Sequence, residues 1–286
     1  MTQTLDPRLT PARPHAADVA LRGVVAAERY VAGEPARVVV PSAPLRRAPS
    51  PESGTDTEAL LGDAVTAYDA VGDHVLVQLA RDGYVGYLPA DSLGPAGPEP
   101  THRVAALRTF LYPAPDLKRP PCAHLSLGAR LVVTGAAGAY LETPGGYVFA
   151  RHCVPVGEAA PDYAGTAERM VGTPYLWGGR TTLGLDCSGL VQLCLDAAGL
   201  PCPRDADMQE RALGRPLPPV HDALQSDGLQ RGDFVFWKGH VGMMLDAARL
   251  IHANGHHMSV AVEPLAEAAA RILATSYGPV TGIRRL

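Results

Sequence analysis

The chain has 286 residues, of which 47% are hydrophobic and 19% are charged. This length fits two or three domains, and the composition is typical of soluble globular proteins rather than disordered or membrane proteins. Lys and Arg number 25 against 29 Asp and Glu, and no basic block could serve as a phosphate-binding footprint, so we expect no nucleic acid partner.

The start of the chain and its cysteines predict the cellular compartment. Charged residues such as Asp6, Arg8 and Arg22 interrupt the first fifty residues, so the uninterrupted apolar stretch of a secretory signal is missing. Five cysteines without CxxC spacing fit neither a disulfide framework nor a zinc knuckle. No apolar run approaches the roughly 20 residues that span a bilayer. The sequence therefore predicts a cytoplasmic protein with no membrane partner, metal or other cofactor.

The first half of the chain reads as an arm followed by two β regions. Residues 1–36 are rich in Pro, Ala and Arg, and we expect an N-terminal arm with one short helix around 17–30. Residues 37–96 and 101–157 consist of short β-like runs broken by Gly and Pro, a pattern typical of small barrels. A Pro/Gly-rich linker over 94–100 separates the two regions.

The two β regions resemble copies of one another. Four sequence features recur, three of them 66 residues apart and the last 60 apart: Leu45, Pro49, Leu61-Gly62 and Gly86-Tyr87, then Leu111, Pro115, Leu127-Gly128 and Gly146-Tyr147. A single continuous β domain is the alternative interpretation, because a repeat of this kind is a weak signal in one sequence. We predict two SH3-like barrels, the second with one shorter hairpin.

Residues 161–286 have a mixed α/β pattern. Apolar residues recur at helical spacing over 190–198, and Gly199 ends that predicted helix. Three β-like runs follow in quick succession and predict an antiparallel sheet: 233–237, 240–245 and 250–253. A last helix is predicted over 263–272. The fold class is therefore α+β.

Cys187 lies at the predicted start of the helix that Gly199 ends. Free backbone N–H groups and the helix dipole favour a thiolate there, so we expect a lowered pKa for the Cys187 thiol. The same N–H groups would bind the oxygen of a carbonyl under attack, as an oxyanion hole does. The alternative for any cysteine is a small buried apolar side chain, an interpretation that fits Cys194 on the apolar stripe.

Two histidines follow on neighbouring predicted strands. His240 opens one strand after a Gly turn, and His252 lies 12 residues later on the next. Cross-strand neighbours on one face come within several Å, so the two rings can touch and act as base and orienting group for a cysteine nucleophile. A metal site is the alternative, since His256 and His257 are close in sequence, but no Cys or carboxylate has ligand spacing.

Five motifs appear in order along the C-terminal region: Thr173-Pro174-Tyr175-Leu176-Trp177-Gly178-Gly179, Leu185-Asp186-Cys187-Ser188-Gly189-Leu190-Val191-Gln192, Arg231-Gly232-Asp233, His240-Val241-Gly242 and Leu250-Ile251-His252-Ala253. Together they resemble the NlpC-type cell-wall peptidase family over residues 161–286. The resemblance implies a papain-like domain with a Cys-His-His triad. Cys187 is then the nucleophile, His240 the general base and His252 the third member.

The resemblance also indicates residues that line the cleft. Tyr175, twelve residues before the nucleophile, matches a tyrosine that assists substrate or oxyanion binding. The alternative for Tyr175 is a core aromatic side chain in a turn. Asp186 and Ser188 flank the nucleophile, and we expect both to belong to the substrate-binding site.

The order of two barrels before a peptidase domain resembles the γ-D-glutamyl-L-diamino-acid endopeptidases, which act on released muropeptides. In those enzymes the first barrel closes one end of the groove and helps to hold the free amine of the N-terminal L-Ala. The matching residues here are Asp205, Glu58 and Tyr84. A carboxylate suits that place because a buried ammonium needs a paired charge. The alternatives are a solvated surface acid at Glu58 and Tyr87 in place of Tyr84.

The resemblance implies hydrolysis of the γ-D-glutamyl–diamino acid bond in peptidoglycan-derived peptides such as L-Ala-γ-D-Glu-meso-diaminopimelate, with diaminopimelate or lysine as the diamino acid. Two alternatives stay open. A thiol amidase or acyltransferase with the same triad would need an amine or alcohol acceptor. A non-catalytic binder of cell-wall fragments would be free to lose a triad member, so the intact Cys-His-His set argues against it.

Overall fold

The computed structural model describes residues 5–217 and 228–286. The chain divides into two compact units, Met1–Val156 and Gly157–Leu286. The described part of the first unit is almost entirely β, whereas the second combines helices with a six-stranded sheet, which confirms the α+β class. None of the helices in the described ranges combines the length and apolar character needed to cross a membrane.

The N-terminal arm forms strands where a helix was expected. Its elements are β1 (Ala12–Arg13), β2 (Ala16–Asp18), a 3-10 turn (Val19–Leu21) and β3 (Tyr30–Val31). The Asp18 side chain accepts a hydrogen bond from Ala20 N–H and starts the turn, and Gly23 with φ +82° follows it. The prediction of a helix around 17–30 is therefore wrong, because β2 pairs in parallel with β3 instead.

The first barrel contains seven strands in the order β10-β4-β7-β8-β9-β5-β6. They are β4 (Glu34–Val38), β5 (Ser42–Arg46), β6 (Thr55–Leu60), β7 (Ala64–Val71), β8 (His74–Leu79), β9 (Val85–Pro89) and β10 (Leu93–Pro95). Leu45, Leu76 and Leu88 are fully buried in it. Apolar alternation is weak in β5 and β6, because Pro44 interrupts β5 and residues 55–58 of β6 are polar.

The second barrel contains a three-stranded and a five-stranded sheet, in the orders β14-β11-β18 and β13-β12-β17-β16-β15. Its strands are β11 (His102–Val104), β12 (Arg108–Tyr112), β13 (Ala123–Ser126), β14 (Arg130–Leu131), β15 (Gly135–Ala137), β16 (Tyr140–Thr143), β17 (Gly146–Phe149) and β18 (Cys153–Pro155). Val104, Leu125 and Val148 are buried at its centre.

Hydrogen bonds at matching positions support the duplication of the barrels. Gly62 N–H donates to Val38 O, and Gly128 N–H donates to Val104 O, so both members of the bond recur at the offset of 66 found in the sequence. The two glycines have φ +82° and +87°, a conformation that side chains with a Cβ rarely adopt. A 3-10 turn also recurs 60 residues apart: Ala90–Ser92 and Ala150–His152.

The second unit has four helices in its described residues and a six-stranded sheet in the order β21-β26-β22-β23-β24-β25. The helices are α1 (Tyr163–Glu168), α2 (Cys187–Ala197), α3 (Ala206–Ala212) and α4 (Leu265–Thr275). The strands are β19 (Arg180–Thr181), β20 (Gly184–Leu185), β21 (Arg215–Pro216), β22 (Phe234–Trp237), β23 (His240–Met244), β24 (Arg249–Asn254), β25 (Ser259–Pro264) and β26 (Val280–Arg285). The predicted antiparallel pairing of β22, β23 and β24 is confirmed.

Helices α2 and α4 both pack on this sheet. Nearly every residue of α2 is buried, and the helix contacts β23 and β24. Each large apolar side chain buried in this way contributes about 1.5–3 kcal/mol to folding. Helix α4 packs against β24 and β25 through Leu265, Ala268 and Ile272. This rigid packing fixes the start of α2 beside strand β23.

The last helix begins at Leu265, two residues later than predicted. Pro264 ends β25 and is the N-cap residue of α4, so Glu263 lies on a strand rather than in a helix. Because β25 pairs antiparallel with β24, with Ala261 opposite His252, Glu263 is a diagonal neighbour of His252 on the same face. This shift of two residues places an acid beside the predicted triad.

Candidate active site

Cys187 is the first residue of α2, as the sequence predicts. Its N-cap is Asp186, whose Oδ1 accepts a 2.7 Å hydrogen bond from Gly189 N–H and so starts the helix. The backbone N–H groups of Ser188 and Val241 hydrogen-bond the Cys187 sulfur. Val241 directly follows His240, so the sulfur lies beside the start of β23.

Burial favours the protonated form of the Cys187 thiol. It raises the pKa to about 12, and the negative charge of Asp186 acts in the same direction. The N–H groups at the helix start lower the pKa, but they do not offset burial. The expectation of a lowered pKa is therefore wrong, because the sequence does not show how deeply the sulfur is buried.

His240 and His252 form a direct hydrogen bond between His240 Nε2 and His252 Nδ1, with a length of 2.8 Å. Both side chains are buried. The other nitrogen of His252, Nε2, bonds Oε1 of Glu263 at 2.6 Å. Arg271, from α4, donates to both oxygens of Glu263 at 2.6 and 2.5 Å. The hydrogen bonds that join the predicted base and orienting group thus extend to the buried carboxylate of Glu263 and the guanidinium of Arg271.

Burial favours the neutral form of His240, which can act as a base. Burial lowers its pKa to about 3, and the His252 ring lowers it further. A protonated thiol next to a neutral imidazole can react when the imidazole accepts the thiol proton as the sulfur attacks a carbonyl. Burial of both groups therefore favours general-base catalysis that starts from a neutral thiol and a neutral imidazole.

Two tyrosines lie close to the thiol. Tyr175 forms an isolated β-bridge with Leu185, and burial raises its pKa. The ring of Tyr277 stacks on His240, with centroids 5.3 Å apart and an angle of 5° between planes. Burial and Cys187 raise the pKa of Tyr277 as well. Both hydroxyls are therefore protonated at neutral pH and available as hydrogen-bond donors.

Arg204 holds Asp186 and Ser188 in position through hydrogen bonds. The Arg204 guanidinium is buried and donates to both oxygens of Asp186, at 3.0 and 2.6 Å, and to Ser188 Oγ at 2.8 Å. Gly178 N–H also donates to Asp186. These contacts give Asp186 and Ser188 a positioning role at the start of α2, and their direct contact with substrate stays a prediction.

Asp205 lies in the same unit as Cys187 and next to Arg204. It is the N-cap residue of α3, its side chain is half-buried, and its charge interacts with the guanidinium of Arg204. Gln209, one turn into α3, donates to the carbonyl oxygen of Ser188 at 2.9 Å. Asp205 thus lies next to residues that contact the nucleophile helix, and its predicted contact with an ammonium stays a prediction.

Glu58 and Tyr84 belong to the first unit. Tyr84 is buried and lines a cavity of about 420 Å³, together with Arg13 and Asp56. Glu58 lies two residues after Asp56 on β6, opposite Pro44 of β5. Asp56 is therefore the β6 acid that shares the Tyr84 cavity, a placement that sequence matching missed. The role of Glu58 and Tyr84 in substrate binding stays a prediction.

Two histidines of the alternative metal site, His252 and His257, have hydrogen-bond partners. His252 uses both ring nitrogens, one toward His240 and one toward Glu263. His257 Nδ1 lies 3.1 Å from Asn254 Oδ1. In the described ranges, no three His, Cys, Asp or Glu side chains are grouped as a metal site requires.

Comparisons with known families match one segment in each of the two units. Residues 172–272 match the NlpC/P60 family, and residues 45–93 match the bacterial dipeptidyl-peptidase Sh3 domain. Residues 172–272 are an NlpC/P60 cysteine peptidase domain. The family match contains Cys187, His240 and His252, and it confirms the resemblance on which the sequence analysis relied.

Relatives with both parts of the chain are found in two Bacillus species. A γ-D-glutamyl-L-lysine dipeptidyl-peptidase of Bacillus cereus is 28% identical over 243 residues, which cover 73% of this chain and 70% of the relative. A Bacillus subtilis protein of the same name is 28% identical over 238 residues, covering 74% and 76%. The crystal structure of an NlpC/P60 family protein from Bacillus cereus covers 88% of this chain and 99% of that one, with 24% identity and a TM-score of 0.72. This structural likeness supports the fold.

The NlpC/P60 site contains residues that sequence reasoning missed. Glu263 and Arg271 were assigned to one predicted helix, and only the strand register places Glu263 beside His252. Tyr277 lies beyond the last helix in a short turn before Gly278, without a motif around it. Arg204 lies outside the five motifs of the C-terminal region. The signal for Arg204 is that its charged side chain is buried next to Asp186, an acid of the second motif. Burial depends on tertiary structure, so the sequence does not show it.

Proposed function

We propose that this peptidase hydrolyses the γ-D-glutamyl–diamino acid bond of free peptidoglycan stem peptides with an unblocked N-terminal L-Ala, in cytoplasmic recycling of cell-wall fragments. The observation that carries the proposal is the Cys187–His240–His252 arrangement in an NlpC/P60 domain that follows an Sh3 domain. The Bacillus relatives, both named γ-D-glutamyl-L-lysine dipeptidyl-peptidase, match this chain over nearly three quarters of its length and support the bond type.

The chemistry follows from the neutral Cys187–His240 pair. His240 accepts the thiol proton, and the sulfur attacks the γ-carbonyl carbon of D-Glu. The N–H groups at the start of α2 stabilise the oxyanion that forms. Protonated His240 then gives its proton to the leaving amine of the diamino acid, and a thioester remains on Cys187. Water, activated by His240, hydrolyses the thioester and releases L-Ala-γ-D-Glu.

The negative charge of Asp205 supports recognition of a substrate with a free amine. Asp205 lies one residue after the buried Arg204 that holds the start of α2, and it supplies a carboxylate in the peptidase domain. We propose that Asp205 binds the ammonium of L-Ala. An acetylated amine would leave the carboxylate unpaired.

The proposal is tested by incubating the protein with L-Ala-γ-D-Glu-L-Lys and with L-Ala-γ-D-Glu-meso-diaminopimelate. We expect L-Ala-γ-D-Glu and the free diamino acid as the products by mass spectrometry, without any added acceptor. The relatives' names favour lysine, so comparison of kcat/KM for the two peptides determines the preferred diamino acid. Release of L-Ala, or product formation only with an added amine or alcohol, would overturn the proposed reaction in favour of another amide or a transferase.

A further inference from the structure

Glu263 and Arg271 form a buried ion pair directly behind the two histidines. The Arg271 guanidinium donates to Oε2 of Glu263 from Nη1 and to Oε1 from Nη2. Only 9% of the Glu263 side chain is exposed. Its two partners come from different elements, since His252 belongs to β24 and Arg271 to α4. The carboxylate is therefore fixed in position from two sides.

The charge state of Glu263 determines which ring nitrogen of His252 donates a hydrogen bond. Burial alone would raise its pKa, but the hydrogen bonds from His252 and Arg271 lower the pKa below the usual value. An ionised carboxylate can only accept hydrogen bonds. His252 must then carry its proton on Nε2, the nitrogen that lies 2.6 Å from Glu263 Oε1. Burial lowers the pKa of His252, so the ring is neutral and its Nδ1 has a lone pair.

The tautomer of His240 follows from that of His252. Since His252 Nδ1 is an acceptor, the 2.8 Å hydrogen bond between the rings requires a proton on His240 Nε2. A neutral imidazole has one ring proton, so His240 Nδ1 must be unprotonated. Nδ1 is then the nitrogen with a free lone pair, which a base needs to accept the Cys187 proton. The opposite tautomer would place a proton on that nitrogen and disable the base.

We propose that Glu263, held by Arg271, is a positioning residue that fixes the tautomers of His252 and His240 and leaves Nδ1 of His240 as the base. It acts through His252 and does not touch the reacting atoms. After His240 accepts the thiol proton, the positive charge on the ring is offset by the carboxylate through two hydrogen bonds. The inference rests on the cysteine peptidase chemistry and is independent of which peptide is cut.

The tautomers can be read directly in the full-length protein labelled with 15N-histidine. We expect the spectrum at neutral pH, without substrate, to show His240 and His252 each with a protonated Nε2 and an unprotonated Nδ1. A proton on Nδ1 of either ring would overturn the proposal. This measurement needs no variant and no turnover, so it separates the proposal from the choice of substrate.

Glu263→Gln tests the consequence for catalysis. The amide can donate as well as accept, so both histidines gain access to the opposite tautomer. We expect kcat to fall by about tenfold or more with KM nearly unchanged, because a wrong histidine tautomer impairs proton transfer rather than binding. Glu263→Asp keeps the charge with a shorter reach and should restore part of kcat. Unchanged kcat and unchanged tautomers in Glu263→Gln would contradict the proposal.

A matched control is the buried pair of Asp233 and Arg285, which has two hydrogen bonds of 2.7 and 2.6 Å in the same unit. Asp233→Asn removes a comparable buried charge just before β22, where its partner is Arg285 of β26, away from the histidines. It should lower the melting temperature but leave the histidine tautomers, and kcat per folded molecule, unchanged. An equal loss of kcat in both variants would assign the effect of Glu263→Gln to stability and overturn a positioning role.

Discussion

Cys187→Ala should abolish peptide hydrolysis, with kcat reduced at least about ten-thousand-fold, as expected when a covalent nucleophile is removed. The substitution removes one sulfur atom at the start of α2 and leaves the hydrogen bonds of Asp186 with Gly189 and Arg204 in place. We therefore expect the fold and peptide binding to be retained. Steady-state kinetics, circular dichroism and calorimetric titration with the tripeptide measure the three properties.

Cys194→Ala is the matched control. Cys194 lies two turns further along the same helix and is completely buried, and burial raises its thiol pKa as well. Its loss should reduce the free energy of unfolding by about 1 kcal/mol, with activity per folded molecule retained. Substantial turnover in Cys187→Ala, or loss of activity without loss of stability in Cys194→Ala, would require a different nucleophile.

Acetylation of the N-terminal amine of the substrate should lower kcat/KM by about a hundredfold or more. The ammonium would lose its pairing with Asp205, and a carboxylate left unpaired when the groove is occupied typically costs about 3–5 kcal/mol. Asp205 is half-buried in the free protein, so we expect the lower end of that range. Kinetics on L-Ala-γ-D-Glu-L-Lys and its N-acetyl form measure the ratio.

Substitutions identify the carboxylate that binds the ammonium of L-Ala. Asp205→Asn should lose far more kcat/KM on the free peptide than on the acetylated one, because only the free peptide has a charge to pair. Equal kcat/KM for free and acetylated peptides would indicate an open groove and an enzyme that cuts stem peptides still attached to glycan.

The sequence predicted the parts of the site that depend on local order. Cys187 could be located because an acid that accepts hydrogen bonds precedes it and an apolar helix follows. The register of two adjacent strands made contact between His240 and His252 predictable. The α+β class followed from the change in hydrophobic period near residue 161.

The parts that the sequence did not predict depend on tertiary structure. Glu263 was assigned to a helix, and only the end of β25 at Pro264 places it beside His252. Stacking of Tyr277 on His240 joins residues 37 apart through a turn that carries no motif. The direction of the Cys187 pKa shift was wrong because burial, rather than the helix start, dominates it. The N-terminal arm formed strands because residues 17 and 30 pair, a contact that local periodicity does not predict.

Trapping the acyl-enzyme intermediate is the most direct test of the claim that Cys187 is the nucleophile. The full-length protein is mixed with L-Ala-γ-D-Glu-L-Lys, quenched in acid within one turnover, and analysed by intact mass and peptide mapping. The account predicts an L-Ala-γ-D-Glu group attached as a thioester to the peptide that contains Cys187. Product release without any adduct on Cys187, or an adduct on another residue, would contradict it.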